Sequence, residues 1–390
     1  MRHLIAAASL LALAACGLNG TDNEQDKKDA AAADHMSIDD NRADSMRSND
    51  PAEGAQAAVD IPDTQERPLM QAQVVLDRQG FGPGVIDGKM GASTKNALKG
   101  FQEANGLDVT GELDDETKAA LGKWSNIPAT RVVTIPADWG QTTYAETPDN
   151  PEDQAKLQIL GYQSLDERLA ERFHTTVETL KMLNPGGLPA GAGQVVGSAT
   201  TSASPDADKT SSFTAGQQVR TPNIGADRID DSRVLDKGWL VTLSSLGVGT
   251  DQPQVAKVVV DKSEGWLKGY DTTGKLVALF TVTTGSSHDP LPLGTWGITG
   301  IGHNPPFTYN PDLFWDVPDS NEKQELPPGP NGPVGVVWID LTKEHYGIHG
   351  TPEPQTIGRT QSHGCVRLTN WDAARLAQMV DTKTKVVFQA

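Results

Sequence analysis

The sequence predicts a multidomain protein: a β-rich C-terminal domain with one late helix, preceded by a small domain of three short helices. Three observations carry this. The chain has 390 residues, enough for two or three domains rather than one. Beyond residue 253, runs such as Val258-Val259-Val260 and Val336-Val337-Trp338-Ile339, bounded by Gly and Pro, read as strands. Between 67 and 125, apolar residues recur instead at helical spacing.

The N-terminus reads Met1-Arg2-His3, then an apolar run from Leu4 to Ala15. A dozen or so apolar residues fall short of the ~20 that a membrane helix needs, so residues 1–15 read as a signal segment. Leu13-Ala14-Ala15-Cys16 resembles a bacterial lipobox, which implies lipidation of Cys16 and attachment to the outer or inner membrane. Gly17 in place of Asp fits outer-membrane sorting in a Gram-negative host. An ordinary secretory peptide cut near Ala14 or Ala15 is the alternative, and both place the mature protein outside the cytoplasm. Residues 16–66 are acidic and poor in aromatic and branched side chains, the composition of a disordered tether.

In 67–125, Val74-Val75-Leu76, Ala97-Leu98 with Phe101, and Ala119-Ala120-Leu121 mark three helices, punctuated by Gly80, Asp87-Gly88, Gly106 and Gly122. Together with Phe101-Gln102 and Thr110-Gly111, this segment resembles a peptidoglycan-binding domain of the PG_binding_1 type. Residues 126–160 read as a linker. Ser164 to Asn184 carries Leu165, Leu169, Phe173, Val177, Leu180 and Leu183 at amphipathic spacing. With a closing strand near Val219, the span 161–224 resembles a LysM-like module; a plain helical hairpin is the alternative. Its stretch 186–212, rich in Gly, Ala, Ser and Thr, reads as a flexible insertion. Residues 225–253 read as a second linker. In 254–390 strands are expected at Lys257–Val260, Leu276–Val282, Thr295–Ile298, Val334–Leu341 and Lys385–Phe388, and a helix at Trp371–Val380 capped by Thr369 or Asn370. The Pro- and Asn-rich stretch 302–333 is long for an idle connection and reads as a candidate lid.

The chain has two cysteines. Cys365 lies in Ser362-His363-Gly364-Cys365-Val366-Arg367, downstream of His345-Tyr346-Gly347-Ile348-His349. A thiol without a disulfide partner, beside His and Gly and preceded by another His, has the composition of an activated nucleophile. A metal site is disfavoured, because on an extended chain His345 and His349 stand roughly 13 Å apart. A thiol with an ordinary pKa of about 8.5 needs a base at neutral pH, and His349 is the candidate. Gly364 lets backbone amides approach a substrate carbonyl, and His363 contributes through its backbone. Arg367 points to the same side as Cys365 on an extended segment; it either binds a substrate carboxylate or forms a surface ion pair. Tyr346 and Gly350 complete the candidate substrate contacts.

These residues resemble the L,D-transpeptidase (YkuD-type) catalytic domain, through Ile348-His349-Gly350-Thr351, Ile357-Gly358-Arg359 and Ser362-His363-Gly364-Cys365-Val366-Arg367-Leu368. The resemblance implies a β-sandwich with one helix after the nucleophile, Cys365 as nucleophile on a peptidoglycan stem peptide, His349 as proton acceptor and donor, and oxyanion amides at Gly364 and Cys365. Ser362, His363 and Gly364 fill the remaining motif positions. Leu291-Pro292-Leu293-Gly294 departs from the usual Thr-Pro-x-Gly. No metal or cofactor is implied. The partners implied are donor and acceptor stem peptides, with an envelope lipoprotein as another acceptor. A carboxypeptidase using the same acyl-enzyme, or a non-catalytic wall-binding scaffold, are the alternatives; an NlpC-type hydrolase has Cys before His, the reverse order. The net charge of −18 disfavours nucleic acid and electrostatic docking on anionic lipid.

Overall fold

The computed structural model describes residues 61–192, 211–225, 227–313 and 322–390. The signal segment, Cys16, nearly all of the tether and most of the 186–212 insertion lie outside the described residues. The last tether residues do not hang free of the fold. Asp63 accepts hydrogen bonds from Arg67 Nε (2.8 Å) and Thr130 Oγ1 (2.9 Å), and the Ile61 carbonyl accepts one from Arg220.

The three expected helices form: α1 (Pro68–Arg78), α2 (Ala92–Ala104) and α3 (Asp115–Leu121). Pro68 opens α1 with its φ already helical, and Asp114 caps α3 by accepting from the Thr117 amide at 2.8 Å. Two buried glutamines explain why the loops hold their shape. Gln73 donates to the Lys89 carbonyl and Thr94 Oγ1 and accepts from the Gly88 amide. Gln102 does the same for Thr110, Thr117 and Gly111. This domain is not self-contained. Its core, including Leu76, Leu98 and Phe101, continues into Val259, Trp266, Leu276 and Leu279 of the C-terminal sheet. Its strand β1 (Phe81–Gly82) pairs in parallel with β6 (Leu276–Thr281), and a Cβ on Gly100 of α2 would come within 2.9 Å of Leu279.

Two segments read as linkers are folded. Within 126–160, β2 (Thr130–Thr134) pairs antiparallel with β3 (Gln218–Pro222), enclosing α4 (Leu165–Arg172) and α5 (Val177–Leu183) in a β-α-α-β order. Ile135 and Trp139 join Leu165, Leu169, Phe173 and Leu180 in its core. The middle module therefore starts near Thr130 rather than at 161. Its opening strand is mostly half-buried, with two valines between polar residues, and so gives little strand signal. Within 225–253, α6 (Lys237–Leu246) is capped by Asp236 and closed by Gly247 in the left-handed region (φ 70°). Trp239, Leu243 and Leu246 of this helix enter the main C-terminal core.

The C-terminal sheet runs β1-β6-β5-β4-β13-β7-β10-β11-β12. Its strands are β4 (Lys257–Asp261), β5 (Trp266–Tyr270), β6, β7 (Gly294–His303), β10 (Val337–Leu341), β11 (Gly347–His349), β12 (Val366–Arg367) and β13 (Lys385–Gln389). The two layers of the sandwich are one continuous sheet. The ten-residue β7 pairs with β13 through its first half and with β10 through its second. The sheet closes where Thr283 and Gly285, just past β6, bridge to Arg367 and Ser362. Both layers contribute to one core around α7 (Asn370–Met379), capped by Thr369 Oγ1 accepting from the Asp372 amide at 3.1 Å. The stretch 302–333 carries the hairpin β8 (Phe307–Tyr309)–β9 (Gln324–Leu326). Beyond it the chain is pinned to the middle module, with the Leu160 amide donating to the Pro328 carbonyl and the Asn331 amide to the Leu160 carbonyl. Part of the candidate lid, 314–321, lies outside the described residues.

Helix α7 is where the three parts meet. Arg375 binds both carboxylate oxygens of Asp77 on α1 (3.0 and 2.6 Å), His174 of the middle module stacks on Trp371, and Asn370 donates to Glu171 of α4 at 2.8 Å. Asp372 sits in the same interior with Oδ1 unpaired. Burial pushes its carboxyl up to about 7, against the pull of Arg375 and with the push of Asp77. A carboxyl raised in the folded state favours folding while protonated, so this contribution fades as pH rises from the unfolded value near 3.8 toward 7. Asp372→Asn, a mimic of the protonated acid, is expected to melt above the wild type at pH 8, with the gap closing near pH 4. Equal melting temperatures at pH 8 would contradict this.

Candidate active site

Strands β11 and β12 lie in parallel register, Ile348 opposite Val366 and His349 opposite Arg367. Residues paired in register point to the same side of a sheet, so His349 and Arg367 share one face, and Cys365 lies in the bend that leads directly into β12. The register is held by the Leu368 amide donating to the His349 carbonyl (2.8 Å) and by reciprocal bonds between Thr283 and Arg367 (2.8 and 3.1 Å).

The nucleophile turn is clamped from below. Buried Ser362 donates from Oγ to the Cys365 carbonyl at 2.6 Å, its amide donates to Thr284, and its carbonyl accepts from the Ser286 amide. Gly364 takes φ +104°, and a Cβ there would lie 2.6 Å from the ring of Tyr346. Glycine is thus required twice, for the backbone and for the ring that covers it. Tyr346 stands over the turn that presents the thiol. Burial, with Cys365 and Asp289 nearby, raises its phenol above the usual value.

His349 is buried and backed by Trp338, its partner across β10 and β11, with ring centroids 5.5 Å apart. Its Nδ1–H donates to the Gly350 carbonyl at 2.7 Å, which leaves Nε2 with its lone pair. Burial, reinforced by the Arg367 cation, drives the imidazole down to about 3. The half-buried thiol of Cys365 is turned toward the His345 carbonyl at 3.8 Å. Burial raises the thiol, opposed by the Gly347 amide and Arg367. Both shifts favour the uncharged forms, a thiol beside a neutral imidazole, over a thiolate–imidazolium pair.

His345 has φ +65° and an exposed ring, so its backbone carbonyl rather than its imidazole faces the thiol. His363 is half-buried in the turn. Gly350 is buried with no room for a side chain: a Cβ would sit 2.2 Å from Asn370 Oδ1. Its place is therefore behind the base rather than on a substrate surface. Three contributors escape the sequence reading: Trp338, Thr283 and Asn370. Only Trp338 carried a signal, as an aromatic in the strand leading to the histidines.

A thiol in the turn that enters β12 and a buried neutral imidazole on the adjacent strand have the composition of a cysteine acyl-transfer site. Residues 256–388 match the family model YkuD, "L,D-transpeptidase catalytic domain", and residues 66–121 match PG_binding_1, "Putative peptidoglycan binding domain". The chain therefore carries an L,D-transpeptidase catalytic domain joined to a peptidoglycan-binding domain. It is 49% identical over 59 residues to "Putative L,D-transpeptidase YkuD" of Bacillus licheniformis, covering 15% of this chain and 36% of that protein. It is 28% identical to "Putative L,D-transpeptidase in ATP synthase subunits region ORF 5" of Fuscovulum blasticum, covering 44% of this chain and 89% of the relative. Among solved structures, L,D-transpeptidase 3 from Mycobacterium tuberculosis aligns with a TM-score of 0.29 at 18% identity, covering 37% of this chain and 63% of that one. The chain matches only about a third of the length of the Bacillus licheniformis protein.

Proposed function

We propose that this protein is a cysteine-dependent L,D-transpeptidase of the bacterial envelope, using peptidoglycan stem peptides as donor and acceptor. The observation that carries the reading is the in-register pairing of His349 with Arg367 beside the turn that presents Cys365, with Nε2 of His349 kept as a lone pair. The thiol turns from the His345 carbonyl toward Nε2, and its proton passes to the imidazole as sulfur bonds to the carbonyl carbon of the third stem residue. The Gly364 and Cys365 amides hold the oxyanion. His349 then returns the proton to the amine of the leaving terminal D-Ala as the peptide C–N bond breaks. A side-chain amine of a second stem attacks the thioester, its proton goes to His349, and the sulfur leaves and is reprotonated. Arg367 suits a substrate carboxylate and keeps the imidazole neutral before the attack. Tyr346 walls the approach. The middle module, on the LysM-like reading, and the three-helix domain hold the enzyme on the wall, and a lipidated Cys16 holds it at a membrane.

Incubation with purified tetrapeptide muropeptides, with products identified by mass, tests this. The expected product is a cross-linked dimer whose mass is the sum of two tetrapeptide units less one D-Ala. Tripeptide monomer alone would make the protein a carboxypeptidase, and unchanged substrate would leave only the scaffold reading.

A further inference from the structure

We propose that Glu171, on α4 of the middle module, is a positioning residue for His349, acting through Asn370 and the Gly350 backbone. The inference rests on the reading of His349 as the base that serves Cys365. Glu171 Oε1 accepts from Asn370 Nδ2 at 2.8 Å, although the two residues are 199 positions apart. Asn370 is fully buried, and its other Nδ2 bond goes to the Pro330 carbonyl at 3.1 Å. Its Oδ1 accepts from the Val336 amide and lies between the backbones of Gly335 and Gly350, where a Cβ on either glycine would collide with it. The Gly350 carbonyl is the group that receives His349 Nδ1–H.

Each link in this chain is short and has little room to move. The amide plane of Asn370 is set by donors and acceptors on both its ends, and Gly350 packs against that plane without a side chain between. The carbonyl that fixes the imidazole tautomer is therefore buttressed by a carboxyl group from outside the catalytic domain. Burying a carboxyl group is costly in its charged form, and Glu171, 8% exposed, is pushed up by burial to about 7, with the Asn370 and Tyr162 hydrogen bonds opposing the rise. Its other hydrogen-bond partner is Tyr162, also of the middle module, so a purely local role would need Tyr162 alone. Loss of the Glu171 acceptor leaves Nδ2 with the Pro330 carbonyl alone, lets the Asn370 amide tilt, and shifts Gly350 and with it the imidazole from the orientation in which Nε2 meets the thiol proton.

The test is the rate at which iodoacetamide alkylates Cys365 in the full chain between pH 5 and 9, with the adduct located by peptide mass. This readout needs no peptidoglycan substrate, so it stands whether or not the acceptor chemistry is as proposed. Glu171→Ala, and Glu171→Met, which fills the space without accepting a hydrogen bond, are each expected to slow alkylation at pH 7 about tenfold toward the His349→Ala rate. The gap to the wild type should narrow as pH rises toward 9 and close only beyond the value to which burial raises the thiol, where hydroxide deprotonates it. Glu171→Gln keeps the acceptor and should stay within about twofold of wild type. Glu171→Ala combined with Asn370→Ala should react no more slowly than Asn370→Ala alone. If Glu171→Ala does not fold, Glu171→Met is read in its place. A wild-type rate in the folded variant overturns the proposal, as does a Gln variant as slow as Ala or additive losses in the double variant. A wild-type rate in His349→Ala instead removes the base itself, and the reading on which the proposal rests.

Discussion

Cys365→Ala is expected to reduce product formation from muropeptides by a factor on the order of 10⁴ or more, leaving wall binding and melting temperature nearly unchanged. The residue is half-buried in a turn whose geometry depends on Ser362 and Gly364 rather than on the thiol, so the truncation leaves the scaffold standing. His349→Ala should cost about 10²–10⁴ in kcat at neutral pH. Its pH profile separates the two roles. In the wild type the imidazole is held down to about 3 by burial and Arg367, so it stays unprotonated, with Nε2 open, at any pH above that value, and the acid limb of kcat/KM should fall far below the ordinary histidine value of 6.5. In His349→Ala only hydroxide remains to deprotonate a thiol raised by burial, so activity should rise with pH through the alkaline range. Turnover surviving in Cys365→Ala would sink the mechanism. An acid limb near 6.5 would mean that the imidazole is not held neutral as the geometry implies.

What the sequence disclosed and what it hid divide along a physical line. Local patterns were legible. The valine run at 258–260, the Thr369 cap of α7 and the helical spacing of Leu76, Leu98 and Phe101 each reflect neighbours within a few positions, and each element formed where expected. The motif around Cys365 was legible for the same reason, since its chemistry is written in adjacent residues. Contacts between remote segments were not. Thr130–Thr134 alternates too weakly to announce a strand, and its pairing depends on β3, which lies 84 or more positions later. Helix α6 looked like a linker because its apolar face, Trp239, Leu243 and Leu246, has meaning only against a core built by later strands. Asn370 likewise reads as an ordinary helix-start residue until Glu171 and Gly350 are brought to it.

The tie that closes this assembly should be the most costly to break. Arg375→Ala is expected to destabilise the chain by about 3–5 kcal/mol, because it leaves the fully buried Asp77 carboxylate without its guanidinium. Burial pushes the Asp77 carboxyl up, but Arg375 and His174 together outweigh it and hold it well below the usual range. A depressed carboxyl contributes stability that is present above the unfolded value near 3.8 and is lost only as pH falls through the folded one, so the pair should support the fold across the whole neutral and mildly acidic range. In Arg375→Ala the cost of burying the charge is opposed only by His174, and Asp77 can escape it by taking up a proton. The deficit should therefore be largest near pH 7 and shrink toward pH 4. Replacing both partners, as Asp77→Asn with Arg375→Met, should recover much of the loss, since neither charge is then stranded. Denaturant melts of the two single variants and the double variant measure this as a coupling energy. Because α7 begins five residues after Cys365 and carries Asn370 at its start, the same Arg375→Ala variant should lose activity at temperatures where the chain is still folded. A cost under about 1 kcal/mol, or a deficit that does not depend on pH, would show that α1 is not fastened to the catalytic helix through this pair.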